Sequence, residues 1–458
     1  MTNKYEAIIN HIQQSISVGK IKPGQKLPSI REIADLFACN KATAIHAYNK
    51  LEQEHLIYAV PKSGYFLVEQ EITPQQPQPK QTYNFATGVP HADVLPYLDL
   101  QHCFNQAVDK YKQDLFSYLP PQGLPSLITV LTDYLQDAQV FVKPEHLSVT
   151  TGVQQALYLL ATLPFPNGKT NILVEQPTYL GILDACTRQN VTVIGIKRDF
   201  KGINFEELER IFSTGNIKFF FTMPRFHNPL GTSYTMAQKK QLLELANRYD
   251  VYLVEDDYLA DLELDTKADP LYTLDLTRSR VIYLRSFSKT LIPGLRLGVV
   301  VLPELLVTVF KERKKAADLT TSVLSQGSLE IYINSGMITK HNKLIKQLYR
   351  EKMTALQDAC QRHLPAGVGF QIPPTGIYTC LQIPCHAQSL KETLAQQRVL
   401  IKNTGIMCLP YFNRNDQIRL SICKVTSEEI HQGLAIIGTT IRQLTHTPTL
   451  SPADDLEL

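Results

Sequence analysis

No run of about 18 apolar residues occurs in the 458 positions, so hydropathy offers no candidate for a membrane-spanning helix. The eight cysteines are scattered, with no C-x-x-C pair and no Cys/His cluster at metal-ligand spacing. That argues against a structural zinc site or a disulfide framework and fits reduced thiols in a cytoplasm. The opening "MTNKYEAIINHIQQSI" lacks the long apolar stretch of a signal peptide and has the pattern of an amphipathic helix. No internal repeat is visible. Net charge is also nearly missing, with 46 Lys and Arg against 43 Asp and Glu.

What charge bias exists is local. Residues 1–68 hold eight Lys/Arg against five Asp/Glu, a surplus equal to the +3 of the whole chain. Such a bias permits nucleic acid as a partner without requiring it. The length exceeds one hydrophobic core, so two or three domains are expected.

The pattern divides the chain into a compact unit (1–68), a Pro/Gln-rich linker (69–83), an α/β region (84–445) and an acidic tail (446–458). The linker core "ITPQQPQPKQT" has too little apolar content to pack. As polyproline II it would reach up to about 45 Å. From residue 84 onward, β-branched runs alternate with helical patterns, the rhythm of a mainly parallel sheet. Buried-strand runs are Ile172–Glu175, Val191–Ile196, Lys218–Met223, Val251–Glu255, Val281–Leu284 and Gly298–Leu302. A smaller α+β lobe is expected from about 316 to 445.

In the first unit, helical periodicity runs from Tyr5 to Val18, and "GKIKPGQKLP" then breaks it. Ser29 with Glu32 three positions on predicts a capping box for a second helix, with Ile33, Ala34 and Phe37 inward. Asn40 predicts the cap of a third helix over 41–54, with Ala44, Ile45, Tyr48 and Leu51 inward. Two helices joined by a three-residue turn form a helix-turn-helix. "LIYAV" and "YFLV" around "PKSG" add a hairpin, which makes the unit a winged helix-turn-helix. The third helix of such a unit enters the major groove, with Lys41, Thr43 and His46 toward the bases. Ser29, Arg31 and Lys62 would anchor phosphates.

These stretches resemble the DNA reader of the GntR family. Its "pG-x-x-LPS-x-R-x-LA" stands here as "PGQKLPSIREIA", and its "T-x-x-x-AY-x-x-L" as "TAIHAYNKL". Lys41 differs from the arginine of many members, replacing a bidentate fork with a point charge.

The second constellation surrounds Lys289 in "RSFSKTLIPGLRLGVV". A lysine that forms a Schiff base with pyridoxal phosphate needs an acid beside the pyridine nitrogen, a phosphate cup, donors to the phenolic oxygen and a stacking aromatic. "LVEDDY" ends a buried strand and offers Asp256 as the acid and Tyr258 as a donor. "MPRFHNPLG" offers Asn228 as a second donor. "VTTGVQQALYLL" offers the backbone after Gly152, at Val153, and the Gln154 side chain to the phosphate. Ser286 and Ser288 flank the lysine, Arg296 can take the phosphate bidentately, and Tyr179 can stack on the ring.

Here the chain resembles fold-type I aminotransferases over roughly residues 84–440. Their "S-x-x-K…PG-x-R-x-G" stands as "SFSKTLIPGLRLG" and their "NP-x-G" as "NPLG". The resemblance implies that Arg419, in "DQIRLSIC", grips a substrate α-carboxylate. Departures are Arg285, in place of a glycine expected near the cofactor, Pro125 in a "G-x-x-x-LR" stretch that here lacks the arginine, and Val153 without a hydroxyl.

Winged helix, linker and aminotransferase-like domain in this order resemble the MocR subfamily of GntR regulators. The resemblance implies a homodimer that binds double-stranded operator DNA. It also implies pyridoxal 5'-phosphate at Lys289 and sensing of that cofactor, or of an amino compound, through aldimine formation. A working aminotransferase for an α-amino acid is the second reading. A DNA-binding protein whose large domain is a scaffold without cofactor is the third.

Overall fold

A computed structural model describes residues 4–22, 24–53, 56–60, 63–67, 81–265, 268–412 and 414–446. The chain divides into two compact units, 1–80 and 81–458. Most of the expected linker, the tip residue Lys62 and the tail beyond 446 lie outside the described residues. Tyr83, placed in the linker by its sequence, begins a short strand with Asn84 that pairs with Val399–Leu400 in the second unit.

The first unit holds α1 (Lys4–Ser17), α2 (Ile30–Leu36), α3 (Lys41–Gln53) and an antiparallel hairpin of β1 (Ile57–Val60) and β2 (Gly64–Leu67). Ser29 caps α2 in a full capping box, accepting from the Glu32 backbone while the Glu32 side chain accepts from the Ser29 backbone. Asn40 Oδ1 accepts from the Thr43 N–H at 2.8 Å and the Thr43 hydroxyl at 2.7 Å, fixing the start of α3. The Tyr48 hydroxyl ties α3 to the entry of α2 by donating to Pro28 O at 2.6 Å.

One helical phase differs from expectation. Ala44, Ala47, Tyr48 and Leu51 are fully buried, whereas Ile45 is 43% exposed. Spacings of three and four place Ala47, not Ile45, on the buried stripe, and hydrophobicity alone hid this because alanine is a weak core signal.

The second unit is built on an eight-stranded sheet of β3 (Leu147–Thr150), β4 (Asn171–Gln176), β5 (Val193–Asp199), β6 (Gly202–Ile203), β7 (Ile217–Thr222), β8 (Tyr252–Asp256), β9 (Val281–Ser286) and β10 (Gly298–Val301). Their spatial order is β3-β10-β9-β8-β7-β4-β5-β6. The central strands β9, β8, β7, β4 and β5 run parallel, and β10 is antiparallel to both neighbours. Strand β5 begins at Val193, two residues later than its apolar run suggests. Apolar side chains fill both faces, in one cluster around Ile172, Phe219 and Val254 and another around Leu173, Phe220 and Leu253. Burial on both faces is what near-continuous apolar strands require.

A second sheet of four antiparallel strands, Gly369–Phe370, Tyr378–Gln382, Gln417–Ser421 and Lys402–Asn403, forms the smaller lobe. The long helices Met337–His363 and Ser427–His446 pack with it. Among the described residues no helix is long and apolar enough to cross a membrane.

Loss of the α3 cap tests the local argument. Asn40→Ala is expected to cost the first unit about 1 kcal/mol, read by denaturant unfolding, because two donors lose one acceptor.

Candidate functional site

The strands β8 and β9 and the loop after β7 end around one cavity of about 340 Å³. It is lined by Lys289, Asp256, Asn228, Tyr258, Ser286 and Arg419, together with Tyr179 and Val153. The ends of parallel strands are where an open α/β sheet leaves its crevice.

Lys289 Nζ donates to the Gly88 carbonyl at 3.2 Å. Burial lowers its pKa, and the positive charges of Arg419 and Arg296 lower it further against an opposing effect of Cys423. Asp256 is buried, and its Oδ1 has no hydrogen-bond partner. Burial, with repulsion from Asp257 and Glu255, pushes its carboxyl up to about 8. It is an acid without a cation, in the cavity that holds Lys289.

Asn228 Oδ1 accepts from Arg419 Nη1 at 3.2 Å, which leaves its amide N–H groups for another acceptor. Arg419 Nη2 donates to Ala86 O at 2.6 Å, and the guanidinium lies 4.2 Å from the Tyr378 ring centre. The loop carrying Asn228 is held from below. Glu175, at the end of β4, accepts from Arg198, Thr222 and Tyr234 at 2.6–2.7 Å, and His227 Nε2 stands 3.2 Å away. Burial and Arg198 lower the His227 pKa to about 4, so the imidazole is neutral at physiological pH.

Gly152, at φ +72°, opens the helix Gly152–Thr162, and a Cβ there would stand 2.8 Å from Arg296 Nη2. The glycine admits the guanidinium to the helix N-terminus, where backbone N–H groups favour an anion. The Ser286 hydroxyl accepts from the Ser288 N–H at 3.2 Å.

Three expected contacts are engaged differently. The Tyr258 hydroxyl donates to Phe226 O at 2.8 Å, so its single proton is already directed to the backbone. Gln154 donates to Gly181 O at 2.8 Å and accepts from the Tyr179 hydroxyl at 3.2 Å, an arrangement that sets the Tyr179 ring. Arg285 is not beside the Lys289 cavity. Side chains alternate along β9, so Ser286 faces that cavity and Arg285 faces away. Arg285 pairs with Asp261 at 2.6 Å next to Tyr134, where it lines a separate cavity.

Sequence patterns missed Gly88, Ala86, Tyr378 and Lys402, which also line the cavity. Lys402 places a second cation near Arg419, with its pKa lowered by burial first and by that neighbour second. The stretch "NFATG" held the one available signal: Asn84 Oδ1 accepts from the Ala86 and Thr87 N–H groups, a side-chain turn.

In the first unit, Arg31 and Lys41 are exposed, as a partner-binding role requires. Thr43 is half-buried and directed to Asn40. The His46 ring packs edge-on against Tyr5 of α1 at 4.9 Å. The Ser29 side-chain oxygen is engaged in capping α2.

Two families match the chain. "Bacterial regulatory proteins, gntR family" covers residues 4–67, and "Aminotransferase class I and II" covers residues 82–437. The HTH-type transcriptional regulator YcxD of Bacillus subtilis is 43% identical over 440 residues, which span 95% of this chain and 99% of that protein. Among solved structures, the kynurenine aminotransferase of Pyrococcus horikoshii is 27% identical with a TM-score of 0.73, over 79% of this chain and 91% of that one. LysN, the α-aminoadipate aminotransferase of Thermus thermophilus, is 26% identical with a TM-score of 0.72, over 80% and 93%.

The isolated acid gives a pH signature. Asp256 titrates near 8 in the fold against 3.8 ordinarily, so between about pH 4 and pH 8 the folded state holds a proton the unfolded chain has lost. Its contribution to the stability of the ligand-free protein therefore falls as pH rises, by about 1.4 kcal/mol per pH unit at the steepest. Urea unfolding across this range is expected to show that slope, and Asp256→Asn to flatten it.

Proposed function

The chain belongs to the class I and II aminotransferase family and carries a GntR-type reader in the arrangement of MocR-type transcription regulators, and we propose that it is a regulator in which pyridoxal phosphate at Lys289 senses an amino compound. The observation that carries this reading is Asp256, buried without a partner in the cavity of Lys289.

The residues present fit the cofactor. Asp256 lacks a cation, and a protonated pyridine nitrogen is one. Arg296 beside Gly152, at a helix N-terminus, is a cradle for a phosphate. Bound pyridoxal phosphate supplies an aldehyde that condenses with amines and a ring that withdraws electrons. Lys289, with its lowered pKa, offers an uncharged amine more readily than a surface lysine does. Asn228 offers its free N–H groups to the phenolic oxygen, and Tyr179 its ring. Ser286 faces the same cavity, and Ser288 hydrogen-bonds to it through its backbone. Tyr258 reaches the phenolic oxygen only if its bond to Phe226 O opens.

Arg419 and Lys402 put two cations in the cavity, which favours an effector bearing a carboxylate as well as an amine. Through the first unit the chain would bind double-stranded DNA, with Arg31 and Lys41 among its contacts. Two copies would read two half-sites. Tyr97, Leu98 and Tyr118, at 64%, 61% and 83% exposure, offer apolar surface to a second copy. Effector control of DNA binding then needs only a ligand with different affinity for two arrangements of the chain. The reader favours regulation over steady turnover as a working aminotransferase.

The test is visible absorbance of the purified protein beside Lys289→Ala, with a panel of amino acids and amines. A lysine-dependent band that one amine shifts, without keto-acid product, is expected. Multiple turnovers to keto acid would make the chain an aminotransferase. No band after adding the cofactor would leave a DNA-binding scaffold.

A further inference from the structure

The outward face of α3 carries apolar side chains among its polar ones. Ala42, Ile45 and Asn49 follow at helical spacing on the side opposite the fully buried Ala44, Ala47, Tyr48 and Leu51. Ala42 and Asn49 are exposed, and Ile45 is 43% exposed. Among the described residues no hydrogen bond to the Asn49 side chain is found, so its amide is open to a ligand. Thr43 and His46, the polar neighbours, are turned to Asn40 and Tyr5. Beside the exposed His46 and Lys50, the helix therefore presents two apolar side chains and one amide, preceded by Lys41 at its first turn.

This set matches one base-pair chemistry. In the major groove thymine alone among the four bases carries a methyl group, and apolar side chains contact it. Asparagine pairs bidentately with the N6 and N7 edge of adenine. Guanine calls for arginine or lysine donors, which Ala42, Ile45 and Asn49 lack; Lys41, four positions before Ile45, is the nearest such donor on this side of the helix.

We infer that Ala42, Ile45 and Asn49 form a face that selects A·T pairs in the half-site, with Ile45 packed against a thymine methyl and Asn49 paired to an adenine. Lys41 adds charge at the groove and helps position the helix. The inference rests on the first unit being a DNA reader, as proposed above, and it specifies what that reader reads.

The test uses the full-length protein and a random double-stranded DNA pool. Repeated selection is expected to enrich a motif with adjoining A·T pairs. Replacing each thymine of that motif by deoxyuridine removes only the methyl group. The substitution that strips the Ile45 contact should weaken binding about fourfold, the factor for one methyl-sized group. Ile45→Ala should bind the thymine and deoxyuridine motifs equally, and its surface position keeps the fold intact, checked by circular dichroism. Asn49→Ala should lose the preference for adenine at one position while its affinity for random DNA holds. An enriched motif without A·T pairs, or equal affinity of the unaltered protein for thymine and deoxyuridine probes, overturns the inference while leaving the reader in place. Absence of binding to any DNA at low salt overturns the reader itself.

Discussion

Three consecutive carboxylates, Glu255, Asp256 and Asp257, end a strand buried on both faces, and the site is arranged around neutralising them. Alternation sends Glu255 and Asp257 to one side and Asp256 to the other. Asp257 is held by Arg225 and by the Tyr283 hydroxyl at 2.8 Å. Glu255 accepts the Leu271 and Tyr272 N–H groups, both at 2.9 Å. Arg225 belongs to the loop that presents Asn228, and Tyr283 to the strand that leads to Lys289. Compensating one side of the strand end thus places two of the groups that face Asp256 on the other. Buried charges must be paired or neutral, and only Asp256 is left to be satisfied by something outside the chain.

The far side of the sheet also grips the Lys289 loop. The Thr290 hydroxyl donates to Asp261 at 3.0 Å, and the Thr290 carbonyl meets His341 Nε2 at 2.6 Å. Asp261 in turn is paired with Arg285 and Asn342. His341 and Asn342 sit at the start of the helix Met337–His363, which packs with the smaller lobe. The residue after Lys289 is therefore tied to the element on which that lobe rests.

Much of this was legible from sequence, and the failures have physical causes. The capping residues Ser29 and Asn40 and the apolar runs that end at β8 and β9 are local signals, and local geometry obeys them. Arg285 was misplaced because proximity in sequence to Lys289 was read as proximity in space, whereas a strand sends neighbours to opposite faces. Ile45 was misplaced because its bulk was read as a core signal, while the smaller Ala47 occupies that phase of the helix. Tyr378 and Lys402 carry no motif of their own. They reach the cavity only through the pairing of distant segments, such as Tyr83–Asn84 with Val399–Leu400, and no local pattern encodes that.

The Ala86 and Gly88 carbonyls have a place in the chain as well as in the cavity. Ala86 lies six positions after Lys80, where the first unit ends. These two acceptors hold Arg419 and Lys289, so the cavity wall is the chain's own point of entry into the second unit. The wall of the pocket and the reader are thus parts of one continuous run of chain, with the linker between Leu67, the end of the reader's last strand, and Ala86.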